Sequence, residues 1–600
     1  MGWLSKIDYA NSQWQDKTIT YETVKANDAN IGATNVYINQ IKQIIRHGHY
    51  EKSTYYDDLL KPLLQVARDV TDDTTTFNAI EYNHRGQITF QSSPSDNAYT
   101  FDGIVTDYDV LGRVQQERQT SDNATTQYRY LSGNRIEVTD AKGNTTTTTY
   151  QAYGKPDYQQ AIKIQSPESV TTDIAMNIFG NITAITQSGY HGSTRLTQTE
   201  YRAYNSQQRL CQVKRNDVGT TVYHHNSVGQ VIWMAQGQNA SSNTVCNTNA
   251  SSSAKVNYSY DNLGQQRTIS YGDGTPTRTF TLDNNGNIKR IHSTDFTQNY
   301  NYNSQNLLED ETLIIDGKTL TLDYGYSTLG HLASIKYPNE STAVNFAPNG
   351  FGLPTQAIKG SETFVRGGYY KAKYYPNNMI NTFTYGNGIK HKTQLNARQL
   401  PSCIQDYKYN LPSCGTGTSG SVLNLNYSYD NNLNITSIRN PRDGGIFSLT
   451  NLTYDGLDRL KTTTGGYGIG SSTIRYDGLG NIRSYKNTSS FNASNLTYSY
   501  NSNNRFTGVS GTGSSGYNFN HSDSYDTRGN VTHNGKRRFT YNLANQMTRS
   551  GSNRYIYDGY NRRIKTIDSK GVSYSMYSQS VSQVNYCTEK PQVVALIMFT

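Results

Sequence analysis

Along this chain apolar and aromatic residues alternate with polar ones and seldom form runs. Segments such as NYSY (257–260) and TYSY (497–500) read polar, aromatic, polar, aromatic. That period of two places both tyrosines on one face of a strand. An Asp or Asn then follows, whose side chain can bond to the backbone two residues on and start a turn. A Gly three positions later suits the left-handed backbone that closes the turn. An Ile, Leu or Val next restarts an extended segment. The pattern recurs as TDYDVLGRVQQ (106–116), YSYDNLGQQRTI (258–269), FTLDNNGNIKRI (280–291), NYSYDNNLNITSI (426–438), LTYDGLDRLKT (452–462), IRYDGLGNIRSY (474–485) and DSYDTRGNVTH (523–533). Its consensus is Y-x-Y-[DN]-x-x-G-[NR]-[ILV]. Tyr429, Tyr454, Tyr476, Tyr500 and Tyr525 are 25, 22, 24 and 25 residues apart, and Tyr541 and Tyr557 follow at steps of 16.

Each unit is thus a strand, a tight turn and a strand, which cannot bury its own face and must stack on its neighbours. The predicted fold class is all-β, with repeated antiparallel hairpins forming a spiralling sheet. The signature residues are Tyr108, Asp109 and Gly112; Tyr260, Asp261 and Gly264; Asp283 and Gly286; Tyr429 and Asp430; Tyr454 and Asp455; Tyr476, Asp477 and Gly480; Tyr525, Asp526 and Gly529; Tyr557 and Asp558. In two units Leu433 and Asp458 stand where the glycine is expected. Asp458 tolerates a positive φ, whereas Leu433 does not, so a different turn geometry is expected at Leu433. The motif is weak over 130–255, and the small polar stretch 236–254 reads as a surface loop.

Composition agrees with this pattern. The chain has 50 Tyr against 16 Phe and 3 Trp, 50 Gly, only 13 Pro and 17% charged residues. Disordered chains are poorer in aromatics, and helical ones richer in Ala, Leu, Glu and Lys. Tyr and β-branched residues, rather than a thick aliphatic core, are expected to hold it together. The net charge of +9 is spread without a basic run, which argues against a nucleic-acid partner. Five cysteines show neither CxxC spacing nor a disulfide framework and read as incidental. The longest apolar run, Val593 to Phe599, is far below the ~20 residues of a membrane span, and the N-terminus shows no secretory leader.

The Y-D-x-x-G-[NR] units at this spacing resemble the YD repeats of Rhs (rearrangement hot spot) proteins, related to cocoon subunits of bacterial toxin complexes and to teneurins. YYDDLLKPLLQVARD (55–69), YPNE (337–340), FAPNGFGLPTQ (346–356) and LNARQLPSCIQD (395–406) extend the likeness over most of residues 50–580. The resemblance implies a hollow β-shell enclosing a C-terminal toxin or effector domain, delivered with a secretion apparatus and so secreted or surface-associated. The expected organisation is a lead-in over 1–50, the repeat shell over 51–580 and a non-repeat tail over 581–600. Such proteins close with a core built on Asp-Pro dipeptides, and none occurs here. The chain therefore reads as a truncated or partial member that does not form a closed container.

Candidate chemistry is sparse. GTGSSG (511–516) lacks the strand-helix context of a dinucleotide site, and the Asp283–Gly286 run lacks calcium-loop spacing. His47 and His49, with Asp57 and Asp58, could share a strand face and bind a metal, and His224 and His225 form a second pair, but neither has a third ligand at motif spacing. No catalytic, cofactor or metal residues are assigned. Tyr stacking on sugar rings makes a carbohydrate-binding or adhesion protein the alternative reading. A toxin enzyme is a weaker one.

Overall fold

The computed structural model describes residues 4–9, 13–72, 74–247, 249–409, 420–514, 516–578 and 584–587. Strands pair antiparallel with their sequence neighbours, from Lys6–Ile7 through Glu362–Val365, then from Lys373–Tyr374 through Phe506–Thr512, then from Phe539–Tyr541 onward. These make sheets of 30, 12 and 6 strands. Among the described residues the helical content is three short 3-10 segments at Ser252–Ala254, Gly368–Tyr370 and Pro441–Asp443, and no helix is long and apolar enough to cross a membrane. The stretch 130–255 carries the same hairpins as the rest, including the long pair Ile182–His191 and Thr194–Tyr204. The described part of 1–50 joins the same ladder through Lys17–Thr23 and Ile41–His47. Of the tail 581–600, only the strand Val584–Cys587 is described, and it pairs with Gly571–Tyr577.

The ribbon winds back upon itself. Residues 254 to 316 positions apart meet again along the chain. Trp14 donates to Ser304 at 3.2 Å, Asp69 accepts from the Gly350 amide at 2.6 Å, and Pro94 accepts from Gln399 at 2.7 Å. Further on, Glu168 accepts from the Gly456 amide at 2.9 Å, Tyr190 O from the Gly478 amide at 2.9 Å, and Asp217 O from Arg505 at 2.7 Å. Asp316 accepts from the Tyr574 hydroxyl at 2.6 Å. Two coils result, the first ending near residue 300 and the second resting on it.

Where the second coil ends, an aliphatic core joins its last hairpins to the stretch 291–346, where the first coil passes into the second. Ile291, Leu313, Leu322, Ile335 and Phe346 cluster with Ile564, Tyr574 and Met576 from the last hairpins. Each such side chain contributes about 1.5–3 kcal/mol on full burial. The expectation that Tyr and β-branched residues, rather than a thick aliphatic core, hold the chain together needs this correction: most repeat tyrosines are half-buried, and the fully buried volume around 291–346 is largely Leu and Ile. A smaller core gathers Val24, Val36, Tyr55, Leu64 and Ala79.

The cysteine expectation is also overturned. Cys211 and Cys246 form a disulfide with Cα atoms 5.5 Å apart, and Cys403 is disulfide-bonded as well. The pairing was hidden because Cys211 lies within a strand and Cys246 in the polar stretch 35 residues later. That stretch is a surface segment fastened to the sheet. Gln212, fully buried, donates to Ser242 O at 2.9 Å and accepts from the Asn247 amide at 3.2 Å.

Candidate functional site: the junction between successive hairpins

The signature residues build one repeated joint. At each turn the Asp or Asn accepts two backbone amides: Asp109 Oδ1 takes those of Leu111 and Arg113, both at 2.9 Å, and Asp477 Oδ1 takes those of Leu479 and Asn481 at 2.9 and 3.0 Å. The backbone closes the same loop, Gly112 N to Asp109 O and Gly480 N to Asp477 O at 2.9 and 3.1 Å. The residue three positions after the acid is left-handed, with φ of 80, 79, 85, 86 and 86° at Gly112, Gly264, Gly286, Gly480 and Gly529. This is the turn chemistry the sequence implies. Asp458 adopts φ 56° there as expected, but so does Leu433, at 69°. Leu433 N bonds Asp430 O at 3.0 Å, and Asp430 Oδ1 takes the Asn432 and Asn434 amides at 3.0 and 2.9 Å. The expectation of a different turn at Leu433 is therefore wrong. The shared bonds of the turn outweigh the roughly 1–2 kcal/mol strain of a left-handed L-residue.

The tyrosine before the acid reaches back to the preceding hairpin. Its hydroxyl donates to the carbonyl of the residue that opens that hairpin's outgoing strand. Tyr108 bonds Ile88 O at 2.7 Å, Tyr260 Val231 O at 2.9 Å, Tyr429 Pro401 O at 2.7 Å and Tyr454 Ile435 O at 2.7 Å. Tyr476 bonds Leu460 O at 3.0 Å, Tyr525 Phe506 O at 2.5 Å and Tyr557 Met547 O at 2.8 Å. Each latch ties one unit to the last and contributes about 1 kcal/mol net. The first tyrosine of Y-x-Y packs instead. Tyr258 and Tyr498 flank, with Tyr260 and Tyr500, the exposed Ser259 and Ser499, so each pair shares a half-buried face. Burial pushes the Tyr258 phenol up to about 12.

The position after the glycine makes the forward link. Arg113 pairs with Asp109 and lies 3.9 Å over the Tyr130 ring of the next unit. Arg459 pairs with Asp455 at 2.7 Å and lies over Tyr476, and Arg562 pairs with Asp558 at 2.8 Å and lies over Tyr577. At Asp526 the residue before the glycine, Arg528, makes the ion pair at 3.0 Å, and Asn530 after it donates to the same carboxylate at 2.9 Å. Where Asn takes the place, as Asn287 beside Asp283, it bonds the free carboxylate oxygen at 2.9 Å. Acid, glycine, tyrosine and base are one fastening, repeated down the ribbon. Its carboxylates and phenols are occupied by the fold itself. The acceptor carbonyl and the forward stacking have no side-chain signature, so the sequence showed the parts without their connections.

The histidine pairs do not become sites. His47 closes one strand and His49 lies beyond the left-handed Gly48, φ 57°, so the two do not share a strand face as the spacing suggested. His47 faces Gln15 O at 3.1 Å and His49 faces Asp69 at 3.1 Å. Asp57 caps the turn ending at Leu60, φ 61°. His224 stacks on Trp233 at 5.3 Å, while His225 is its neighbour on the same strand and so points to the other face.

A two-coil ribbon of latched antiparallel hairpins defines the class: an all-β spiral of stacked hairpins. Comparison with solved structures finds the same fold in Tc toxin chains. A Photorhabdus luminescens Tc holotoxin pore aligns over 95% of this chain with a TM-score of 0.63 at 13% identity. TcdB2-TccC3-TEV aligns at 0.64 and 14% over 95%. TcdB2-TccC3 without its hypervariable C-terminal region aligns at 0.63 and 12%, also over 95%. This chain spans 31% of each of those longer chains. No protein-family model and no curated protein sequence matches it.

Proposed function

We propose that the chain is a structural, encapsulating wall segment of a toxin-delivery shell, whose partner is a toxin or effector domain joined C-terminally. The observation that supports this most is the stacking of the second coil on the first, from Trp14–Ser304 to Arg278–Asn561. Coils that return on themselves leave few open strand edges and make a continuous partition, the steric property a container needs. The fold likeness to Tc toxin chains points the same way. The wall acts by exclusion, and the repeat residues spend their polar groups on holding it together. Electron microscopy of the full chain tests the reading. A curved two-coil wall around an open lumen is expected. A solid particle refutes the wall, and a particle sealed at both ends refutes its being a partial segment.

A further inference from the structure

One hairpin departs from the regular ladder. Between the strands Phe506–Thr512 and Phe539–Tyr541 the described residues form no extended pairs, only isolated bridges at Gly508–Asn518, Tyr525–Val531 and His533–Arg538. This is also where the 12-stranded sheet ends and the six-stranded sheet begins. In that hairpin His521, Asp523 and His533 converge, with one ligand-type atom from each lying within 4.8 Å of the others. Thr532, beside His533, donates its amide to Ser524 O at 2.9 Å and its hydroxyl to Asp523 O, which holds the two arms of the hairpin together. The imidazoles of His521 and His533 meet at 4.5 Å between ring centroids.

Two further details suit a cation better than a plain polar cluster. His533 Nδ1 is buried and has no hydrogen-bond partner, an arrangement that is unfavourable unless a donor or a metal ion takes its lone pair. Asp523 accepts from the Arg538 guanidinium at Oδ2, which leaves Oδ1 for a ligand. We propose that His521, Asp523 and His533 form a site for a first-row transition metal, zinc by preference, that clamps this hairpin at the boundary between the two sheets. Two imidazoles and one carboxylate are a zinc-type donor set. Calcium and magnesium require mainly oxygen ligands. Small side-chain rotations bring the donors to the ~3.3 Å spacing of a tetrahedral zinc site. His521 is exposed, so water completes the fourth position. The metal would supply the cross-strand tie that the missing ladder bonds do not.

The test uses the untagged full chain, stripped with a chelator and titrated with Co(II) and then Zn(II). The expected result is one equivalent bound, with visible Co(II) absorption of a tetrahedral site that Zn(II) displaces, and a raised unfolding temperature with metal. His521→Ala and His533→Ala each weaken binding at least tenfold, and Asp523→Asn weakens it measurably. His521 is on the surface, so its variant should melt like the parent without metal, which separates lost binding from lost folding. Equal affinity in parent and His521→Ala, or no binding with zinc at about 100 µM, overturns the proposal.

Discussion

Two turns with the same chemistry meet different surroundings. In Asp109-Val110-Leu111-Gly112, on the first coil, Val110 and Leu111 are 85% and 72% exposed. In Asp477-Gly478-Leu479-Gly480, on the second coil, Gly478 is buried against the first coil and donates to Tyr190 O. The turn bonds are the same, so the difference lies in the residue after the acid. A Cβ on Gly478 would lie 2.4 Å from Gly189 Cα, and one on Gly456 would lie 2.6 Å from Pro167. Where the tip carries a side chain, the glycine moves to the other coil: Thr527 packs on Gly219 and Gly237, at 2.5 and 2.4 Å from their hypothetical Cβ atoms. Each of these contacts between coils needs a bare backbone on one side. The glycine of the turn serves conformation, and the glycine of the tip serves docking.

The comparison predicts its largest effect at Gly478. Gly478→Ala forces backbone against backbone and weakens the Tyr190 bond, and should cost about 3–4 kcal/mol in denaturant unfolding. Gly480→Ala, two residues away at φ 86° with no neighbour within 4 Å, should cost only about 1 kcal/mol of left-handed strain. Equal losses would mean that the coils are not in contact in solution.

That contrast also marks what was legible. The hairpins, the turn acid and the turn glycines follow from local periodicity and Asx chemistry, which depend on residues within one unit. The winding was not legible, because Gly189 and Gly478 come together through the summed twist of many hairpins. A Y-D-G tip against a Y-D-V tip was nonetheless a signal, since Gly at that position has no role in the turn itself. Leu433 was misjudged because propensity was weighed alone, without the several bonds that fix its φ. The Cys211–Cys246 bond and the His521–Asp523–His533 group depend likewise on three-dimensional proximity.

The tyrosine latch should be indifferent to docking. Tyr108→Phe on the free tip and Tyr476→Phe on the docked one each remove a single bond, to Ile88 O and Leu460 O, and each should cost about 1 kcal/mol. A much larger loss at Tyr476 alone would tie the latch to the contact between coils rather than to its own ladder.

Acid should loosen the contact between coils. Burial pushes the Asp430 carboxyl up, but Lys142 of the first coil at 3.0 Å and the Asn434 amides more than offset this and hold it below the ordinary carboxylate value. A carboxyl lowered on folding stabilises above its unfolded value near ~4, and that contribution disappears as pH falls through the folded value. Stability measured from pH 6 down to pH 2 should therefore decline. Lys142→Ala should make the slope shallower and cost about 1 kcal/mol at neutral pH. An unchanged slope would remove this pair from the account.

The smallest effect separates strain from docking. Leu433 holds φ 69° on the second coil and Leu60 holds φ 61° at the same turn position on the first. Glycine at either place relieves left-handed strain of about 1–2 kcal/mol. It also gives the unfolded chain more freedom, which returns roughly 0.5–1 kcal/mol of that gain. What remains is a gain of about 0.5–1 kcal/mol, reduced by whatever the leucine side chain contributes to packing. The two leucines are 42% and 53% exposed, so neither contributes much. Leu60→Gly and Leu433→Gly should both raise the denaturation midpoint slightly and by similar amounts. If Leu433→Gly instead lowers stability by more than about 1 kcal/mol while Leu60→Gly does not, then the Leu433 side chain is part of the contact between coils, and the turn has kept a strained residue for its packing.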